Sequence, residues 1–314
     1  MLLGNKLLIF SIIGMVLFYF FVAVYSNIDQ VTKSLTSMKI EFIPLILTFI
    51  VVGVLIKGIR QYYLLKFNNI KIPIKKSIVI FIAGLSLIFT PGGIGEMIKT
   101  KFIKDGYGIL IRNTGPIVVM EKYHEFLGAI TFISISIFFY NSIEAKIALL
   151  FGSIILIAIY LIIRYKKIPN IFKRFLIRIK LFQRIIEGEE DSRKSFYKLT
   201  SAPKMLVTWA ITIISMMFEL IAVYMIFLSF ELNQFNFILV SQLTLTSLLF
   251  GYISFLPNGA GITDGSFIGM LAVRNLDLAV ATSVVLAIRF IGLWFKIAIG
   301  FIAIKILQMK INTL

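Results

Sequence analysis

Several stretches of this chain are long and apolar enough to cross a bilayer, and such a stretch must satisfy its backbone hydrogen bonds internally, as a helix or within a closed barrel. A spanning helix needs roughly 20 apolar residues, about twice what a barrel strand uses. Runs at 7–26, 42–60, 114–140, 147–163, 205–229 and 278–305 meet or approach that length. Composition agrees, with 59% hydrophobic residues, 15% charged and a mean hydropathy of +0.96. Soluble domains run about 45–50% apolar and roughly 25% charged. The reading is therefore an all-α fold: a polytopic membrane helical bundle forming one membrane domain over residues 1–314. Lys6 precedes the first run and no small-residue cleavage site follows it, which reads as a retained helix rather than a signal peptide. With no cysteine and a single histidine, thiol chemistry is excluded and a conventional zinc site is not expected. The reading calls for no cofactor and no metal.

Two further apolar segments break instead of crossing. Residues 78–90 stop at Pro91-Gly92-Gly93-Ile94-Gly95-Glu96, and residues 237–256 run into Pro257-Asn258-Gly259-Ala260-Gly261-Ile262-Thr263-Asp264. Charge orients both. Residues 57–76 carry six basic residues and no acid, and residues 99–112 carry Lys99, Lys101, Lys104 and Arg112 against Asp105. Both stretches read as cytoplasmic by the positive-inside rule, so the first broken segment enters and returns on one side. Around the second, Glu231, Arg274 and Asp277 give no positive excess, and it re-enters from the exterior. In this layout 25 of the 32 Lys and Arg lie inside, and Lys33, Lys39, Lys146 and Arg274 lie outside. The expected location is the cell (plasma) membrane, multi-pass, with both termini cytoplasmic. The net charge of +17 is assigned to loops facing anionic headgroups, and no nucleic acid partner is expected.

About six full spans plus two re-entrant hairpins then form an inverted repeat. Residues 1–41 supply the first span and an exterior loop, and 42–140 are the first unit. A linking helix and basic loop (141–204) lead to the second unit, 205–305, and the tail 306–314. Pro91, Gly93 and Gly95 recur as Pro257, Gly259 and Gly261, all offset by 166 residues. Broken helices in matched places of two inverted units point to transporters with a midplane site. A nucleotide-binding loop fits poorly, because Gly93-Ile94-Gly95 follows an apolar run, lacks the third glycine and has no βαβ pattern around it.

The ionisable groups at membrane depth are Glu96, Glu121, Lys122, His124, Glu125, Glu219, Asp264, Arg289 and Lys296. Each central charge costs roughly 2.5–3.5 kcal/mol on insertion scales, so they must face one another or a water-filled cavity. Glu121, His124 and Glu125 share one helical face, and Lys122 is within reach of Glu125. Arg289 and Lys296, seven apart, form one basic stripe on the last helix. Blander readings stand beside these. The 121–125 group suits a snorkelling interfacial cluster, His124 suits a packing role, and Glu219 suits a buried neutral carboxyl as well as a coupling group. Gly261, Gly265 and Gly269, spaced by four, suit close helix approach. Residues 173–182 mix basic and apolar side chains as an interfacial helix does, and 187–191 read as a solvated acidic turn.

At these residues the chain resembles the lysylphosphatidylglycerol synthase transmembrane-region family, also described as flippase-like integral membrane proteins. The family's Pro-Gly-x-x-Gly-Glu turn is matched by Pro91, Gly92, Gly95 and Glu96, and its later apolar stretch ending in Glu-Arg by Val118-Val119-Met120-Glu121-Lys122. Its second turn, Pro-Gly-Gly-x-Gly with a following acid, corresponds to Pro257, Gly259, Gly261 and Asp264, and an arginine in the next helix to Arg289. The chain departs from the pattern at Gly93, where the family often has arginine, at Lys122 for arginine, and at Asn258 and Asp264 for glycine and glutamate. Arginine clamps phosphate bidentately and lysine does not, so an identical headgroup preference does not follow from the resemblance.

The resemblance implies a flippase-like protein that translocates or binds an anionic phospholipid or lipid-linked precursor in a polar cleft between the two units. Some family members carry a soluble transferase domain; 314 residues leave no room for one, so a non-enzymatic role is expected. Lys122, Arg289 and the glycine turns (Gly92, Gly93, Gly95, Gly259, Gly261) would bind headgroup phosphate, with half-helix N–H groups adding to the cations. Pro91 and Pro257 would form the turns. Glu96, Glu121, Glu125, Glu219 and Asp264 would orient the cations or couple to protons. The partners expected are an anionic membrane lipid and the bilayer itself, with a second copy of the chain or a separate lipid-modifying enzyme as protein candidates. The alternatives are a small-solute or ion secondary transporter on the same scaffold, or an intramembrane lipid-carrier transferase, for which the sequence holds no Asp-x-Asp or His-rich motif.

Overall fold

The computed structural model describes residues 28–90, 94–164, 189–254, 259 and 261–311, and the regular structure among them is helical. The expected span at 7–26, the turn residues Pro91, Gly92, Gly93 and Pro257, and the basic-apolar stretch at 173–182 lie outside the described residues. A short amphipathic helix, α1 (Ile28–Thr36), precedes the long α2 (Ile43–Phe67). A hairpin of two short helices follows, α3 (Ile74–Gly84) and α4 (Ile98–Tyr107), and then the long α5 (Ile111–Ser136). Two linking helices, α6 (Ile143–Arg164) and the polar α7 (Glu189–Leu199), lead to the long α8 (Ala202–Ser229). A second hairpin, α9 (Phe237–Ser254) and α10 (Ile262–Ala272), precedes a final rod. In that rod α11 (Leu278–Ala287) passes through a π-helical turn (Ile288–Trp294) into α12 (Phe295–Ile311). Both sets run long helix, broken hairpin, long helix.

Local chemistry sets the helix starts. Proline opens α2 and α8 in the first turn, where its missing N–H costs nothing. Asp277 caps α11 by accepting the amides of Ala279 at 2.9 Å and Val280 at 3.2 Å. Helix α2 does not stop at Arg60, as the charge pattern suggests, but runs on to Phe67. Lys57 and Arg60 find acids inside the bundle, so the helix has no need to leave the membrane there. Four described helices are long and apolar enough to span: Ile40–Phe67, Ile143–Leu161, Ala202–Ser229 and Leu278–Gln308. Helix α5 has the length, 26 residues or about 39 Å, but carries its charges to the centre of the protein. Helix α6 turns Ile147, Leu150, Ile154, Ile157 and Leu161 outward, the three-to-four spacing of a lipid-facing stripe.

The connections gather at two ends. At one, Asn68 donates to Asn113 O at 2.8 Å and Ser195 Oγ at 3.0 Å, Ser192 donates to Arg112 O at 2.9 Å, and Arg112 pairs with Asp191. At the other, Lys39 donates its amide to Ser229 O at 2.9 Å and pairs with Glu231 at 2.7 Å. Asn236 bonds the Tyr140 hydroxyl, Gln242 donates to Tyr140 O at 2.8 Å, and Arg274 pairs with Glu144 at 3.7 Å. Residues 68 and 113, which flank the first hairpin, meet at one end, while 236 and 274 return beside 140–144 at the other. The hairpins therefore enter from opposite ends. Outside the hydrocarbon region, the hydrogen bond and charge of Lys39 hold the Glu231 carboxyl below its ordinary range.

Close backbone approach falls elsewhere than the glycine spacing suggests. A Cβ on Gly265 or Gly269 would meet nothing within 4 Å, so no described helix approaches closely at those two positions. Contact is made instead at Gly58, where a Cβ would lie 3.1 Å from Ile78 Cα, and at Gly300, where it would lie 2.8 Å from Ser86 Cα. These two glycines press the first hairpin onto α2 and α12. Spacing marks a smooth face but does not say which face has a neighbour.

In this cysteine-free chain, Lys71→Cys and Lys194→Cys should label with an impermeant maleimide from one face of the membrane. Asn141→Cys and Asn236→Cys should label from the other. Labelling of positions 71 and 141 from the same face would undo the opposed-hairpin arrangement.

Candidate functional site

Burying a charge in the bundle requires a partner, and here the partners are shared. Helix α2 contributes Lys57 and Arg60, α8 contributes Glu219, α12 contributes Lys296, and α5 contributes Glu121, Lys122 and Glu125. The far arm of the first hairpin adds Glu96 and Lys99. Lys99 Nζ lies 2.5 Å from Glu121 and 3.4 Å from Glu96, and Lys122 pairs with Glu96 and, at 3.1 Å, with Glu125. Glu125 also takes Arg60 at 3.1 Å and Lys57 at 3.7 Å. Lys57 continues to Glu219 at 2.6 Å, whose other oxygen accepts from Lys296 at 2.5 Å. Acids and bases alternate without a break from Glu121 to Lys296.

A second ion pair stands beside this chain. Asp264, in the first turn of α10, accepts from Arg289 Nε at 2.7 Å and from the Gly261 amide at 3.4 Å. Arg289 sits in the π-helical turn, a widened turn that is frequent at functional sites. That turn also separates Arg289 from Lys296, so the expected single basic stripe is divided between two acids. Both hairpin tips are tight. A Cβ on Gly95 would lie 2.5 Å from Leu87 O, and Gly259 (φ +65°) crosses Gly251 so closely that a Cβ there would lie 2.9 Å from Gly251 Cα. Only glycine fits such a crossing.

Between the hairpins lies a cavity of about 230 Å³. Four bases (Lys57, Lys122, Arg289, Lys296) and four acids (Glu96, Glu125, Glu219, Asp264) line it, with Tyr252 and apolar walls that include Ile50, Val54, Phe81 and Leu85. Side-chain exposure separates two layers. Lys99 and Glu121 are sealed at 1% and 2%, whereas Lys122 is 29% exposed.

The structure brings Glu96, Lys122, Glu125, Glu219, Gly259, Asp264 and Arg289 to this cavity. Glu121 lies behind it, paired with Lys99. The 121–125 group is packed inside the bundle, with Glu121 1% and His124 0% exposed. His124 Nδ1 donates to Met120 O at 2.6 Å and Nε2 lies 2.7 Å from Thr208 Oγ1, a link between α5 and α8. The amides expected to meet a headgroup are engaged at two turns: Gly95 N donates to Thr90 Oγ1 at 2.6 Å, and Gly261 N to Asp264. Sequence reasoning missed Lys57, Arg60 and Lys99, placing them in loops. Their signal was spacing, because Lys57 and Arg60 share one face of α2 and Lys99 stands one turn from Glu96.

Comparison with known proteins gives a consistent picture. The family described as Lysylphosphatidylglycerol synthase TM region matches residues 7–300. A UPF0104 membrane protein of Pyrococcus horikoshii is 23% identical over 305 residues, covering 88% of this chain and 90% of the relative. A UPF0104 membrane protein of Methanothermobacter thermautotrophicus is 27% identical over 143 residues, covering 43% of this chain and 42% of the relative.

Removing one partner of a sealed ion pair costs about 3–5 kcal/mol, because it strands the other charge. Lys99→Met should therefore destabilise the protein strongly in detergent unfolding, and adding Glu121→Gln should recover more than half of the loss. Equal stability of the single and double variants would mean that the pair is not dry.

Proposed function

The chain belongs to the lysylphosphatidylglycerol synthase transmembrane-region family, and from that premise we propose that it carries a phosphate-bearing lipid headgroup across the bilayer. The lipid is an anionic phospholipid or a lipid-linked precursor. The path is the polar cleft between two inverted units, residues 42–140 and 205–305, in the cell membrane, with the basic end and both termini in the cytoplasm. Transport rather than catalysis is the proposed activity.

One observation carries this reading: a charge-lined cavity with apolar walls lies between hairpins that come from opposite ends. Its volume of about 230 Å³ falls below the roughly 300–1,000 Å³ of sites that enclose a whole drug-sized ligand. A headgroup fits there while its acyl chains stay in the membrane. Overlapping ion pairs make exchange of partners affordable. If phosphate draws Lys122 from Glu125, Arg60 and Lys57 still neutralise that carboxylate. Lys122 is the natural first contact because its side chain is the most exposed of the network. Arg289 then adds a planar fork that lysine cannot supply, with Asp264 orienting it. The small volume also suits the rival, a transporter of small phosphorylated solutes on the same scaffold.

Arg289 separates these readings when headgroup-labelled lipid movement and melting temperature are measured on the same proteoliposome preparations. Arg289→Lys should keep assembly and part of the transport. Arg289→Gln should cut lipid movement about ten- to a hundredfold, the value of a charged hydrogen bond, with a smaller loss of stability. Parallel losses rescued by Asp264→Asn would make Arg289 purely structural. Uptake of glycerol phosphate without lipid movement would favour the solute transporter.

A further inference from the structure

We propose a second binding site, separate from the central cleft: a groove where α2 ends and α3 begins, which holds the phosphate of an anionic phospholipid from the adjoining leaflet. The groove has a volume of about 540 Å³, and Tyr62, Lys66, Asn69, Lys71, Pro73 and Ile74 contribute to its lining. It opens at the basic end of the bundle, in the connection that carries lysines and no acid from residue 57 to residue 76.

The loop that presents these lysines is built rather than slack. The Asn69 amide donates to Lys66 O at 3.0 Å and the Ile70 amide to Leu65 O at 2.9 Å, closing α2 with Asn69 at φ +62°. Ile70 and Ile72 are buried, so Lys71 between them is turned outward. Gln61 Nε2 donates to Ser77 O at 3.0 Å and pins the start of α3 to α2. The groove therefore keeps its shape without a ligand.

Charge complementarity identifies the occupant. Lys57, Lys99, Lys122 and Lys296 inside the bundle have carboxylate partners, yet among the described residues Lys66, Lys71, Lys75 and Lys76 form no ion pair. Unpaired cations at the membrane surface draw anionic headgroups. Pro73 and Ile74 are exposed and Tyr62 is half-buried, so an apolar rim adjoins the cations. Free phosphate has no use for that rim, whereas a phospholipid places its glycerol and first methylenes there, alongside the lysine stems.

Native mass spectrometry of the full chain, titrated with phosphatidylglycerol and with phosphatidylcholine, tests the site. The protein should retain phosphatidylglycerol in preference, and Lys66→Ala/Lys71→Ala should weaken one bound equivalent roughly ten- to thirtyfold, since each interfacial lysine contributes about a factor of five. Lys101→Ala/Lys104→Ala removes two exposed charges of α4 outside the groove and should change binding by less than about threefold, because salt screens charges that do not touch the bound phosphate. Millimolar glycerol phosphate should not displace the lipid. Equal losses in the two double variants would reduce the effect to general surface charge, and displacement by glycerol phosphate would make this a site for soluble phosphate. No loss in Lys66→Ala/Lys71→Ala would remove the site altogether. Arg289→Gln run in parallel reports on the central cleft, so failure of one site does not pass for failure of the other.

Discussion

Glu219 holds two lysines at once, Lys57 at 2.6 Å and Lys296 at 2.5 Å, and so ties α2, α8 and α12 through one carboxylate. Glu125 repeats the device with Lys122, Arg60 and Lys57. An isolated charge in hydrocarbon is too costly to keep, and a simple pair strands one charge whenever it opens. Shared partners remove that penalty. Much of the architecture follows: α5 can carry Glu121, Lys122 and Glu125 through the centre, and α2 can continue past Arg60 as helix. The same sharing would let the proposed headgroup phosphate enter the network without baring a charge.

The two hairpins have the same order of elements but different fastenings. In the first, Lys99 crosses the opposite arm at Gly84, where a Cβ would lie 2.5 Å from Lys99 Cγ, and reaches Glu121 beyond it. Gly300 of α12 presses on Ser86 of the same arm. The second hairpin closes on itself, with Gly259 against Gly251, and reaches the last rod through the Asp264–Arg289 pair. On its far arm, a Cβ at Gly265 or Gly269 would meet none of the described residues within 4 Å. Among the described residues, the ion pairs of Lys99 help fasten the first hairpin, and the Asp264–Arg289 pair and the packing of Phe267, Ile268 and Leu271 with Val284 and Val285 join the second to the last rod.

Much of the fold could be read from apolar run length, and the opposed hairpins from the Pro-Gly breaks combined with loop charge. Those signals are local, and bilayer thickness and backbone satisfaction give them force. The site was legible where charge sits inside an apolar run, as at Glu219 and Arg289, and Asp264 was among the acids anticipated for Arg289. It was illegible at Lys57, Arg60 and Lys99, which stand at run ends and look like loop charges until their acids arrive from α5, α8 and the hairpin tip. Glu219 shows the same limit from the other side. Its two lysines lie 162 and 77 residues away, a separation at which sequence neighbours say nothing about charge pairing. The glycine spacing at 261, 265 and 269 has no close neighbour at Gly265 or Gly269 among the described residues, because a small-residue face matters only where a helix faces it.

The central claim, that a lipid headgroup occupies the cleft between the hairpins, is tested most directly by a phospholipid carrying a photoreactive diazirine in its headgroup. After reconstitution and irradiation, the modified residues are mapped by peptide mass spectrometry. The account predicts adducts on the cavity wall, at Ile50, Val54, Phe81 or Thr244, that decline when unlabelled phosphatidylglycerol competes. Adducts confined to outward-facing residues such as Phe138, Leu150 and Ile154 would contradict it.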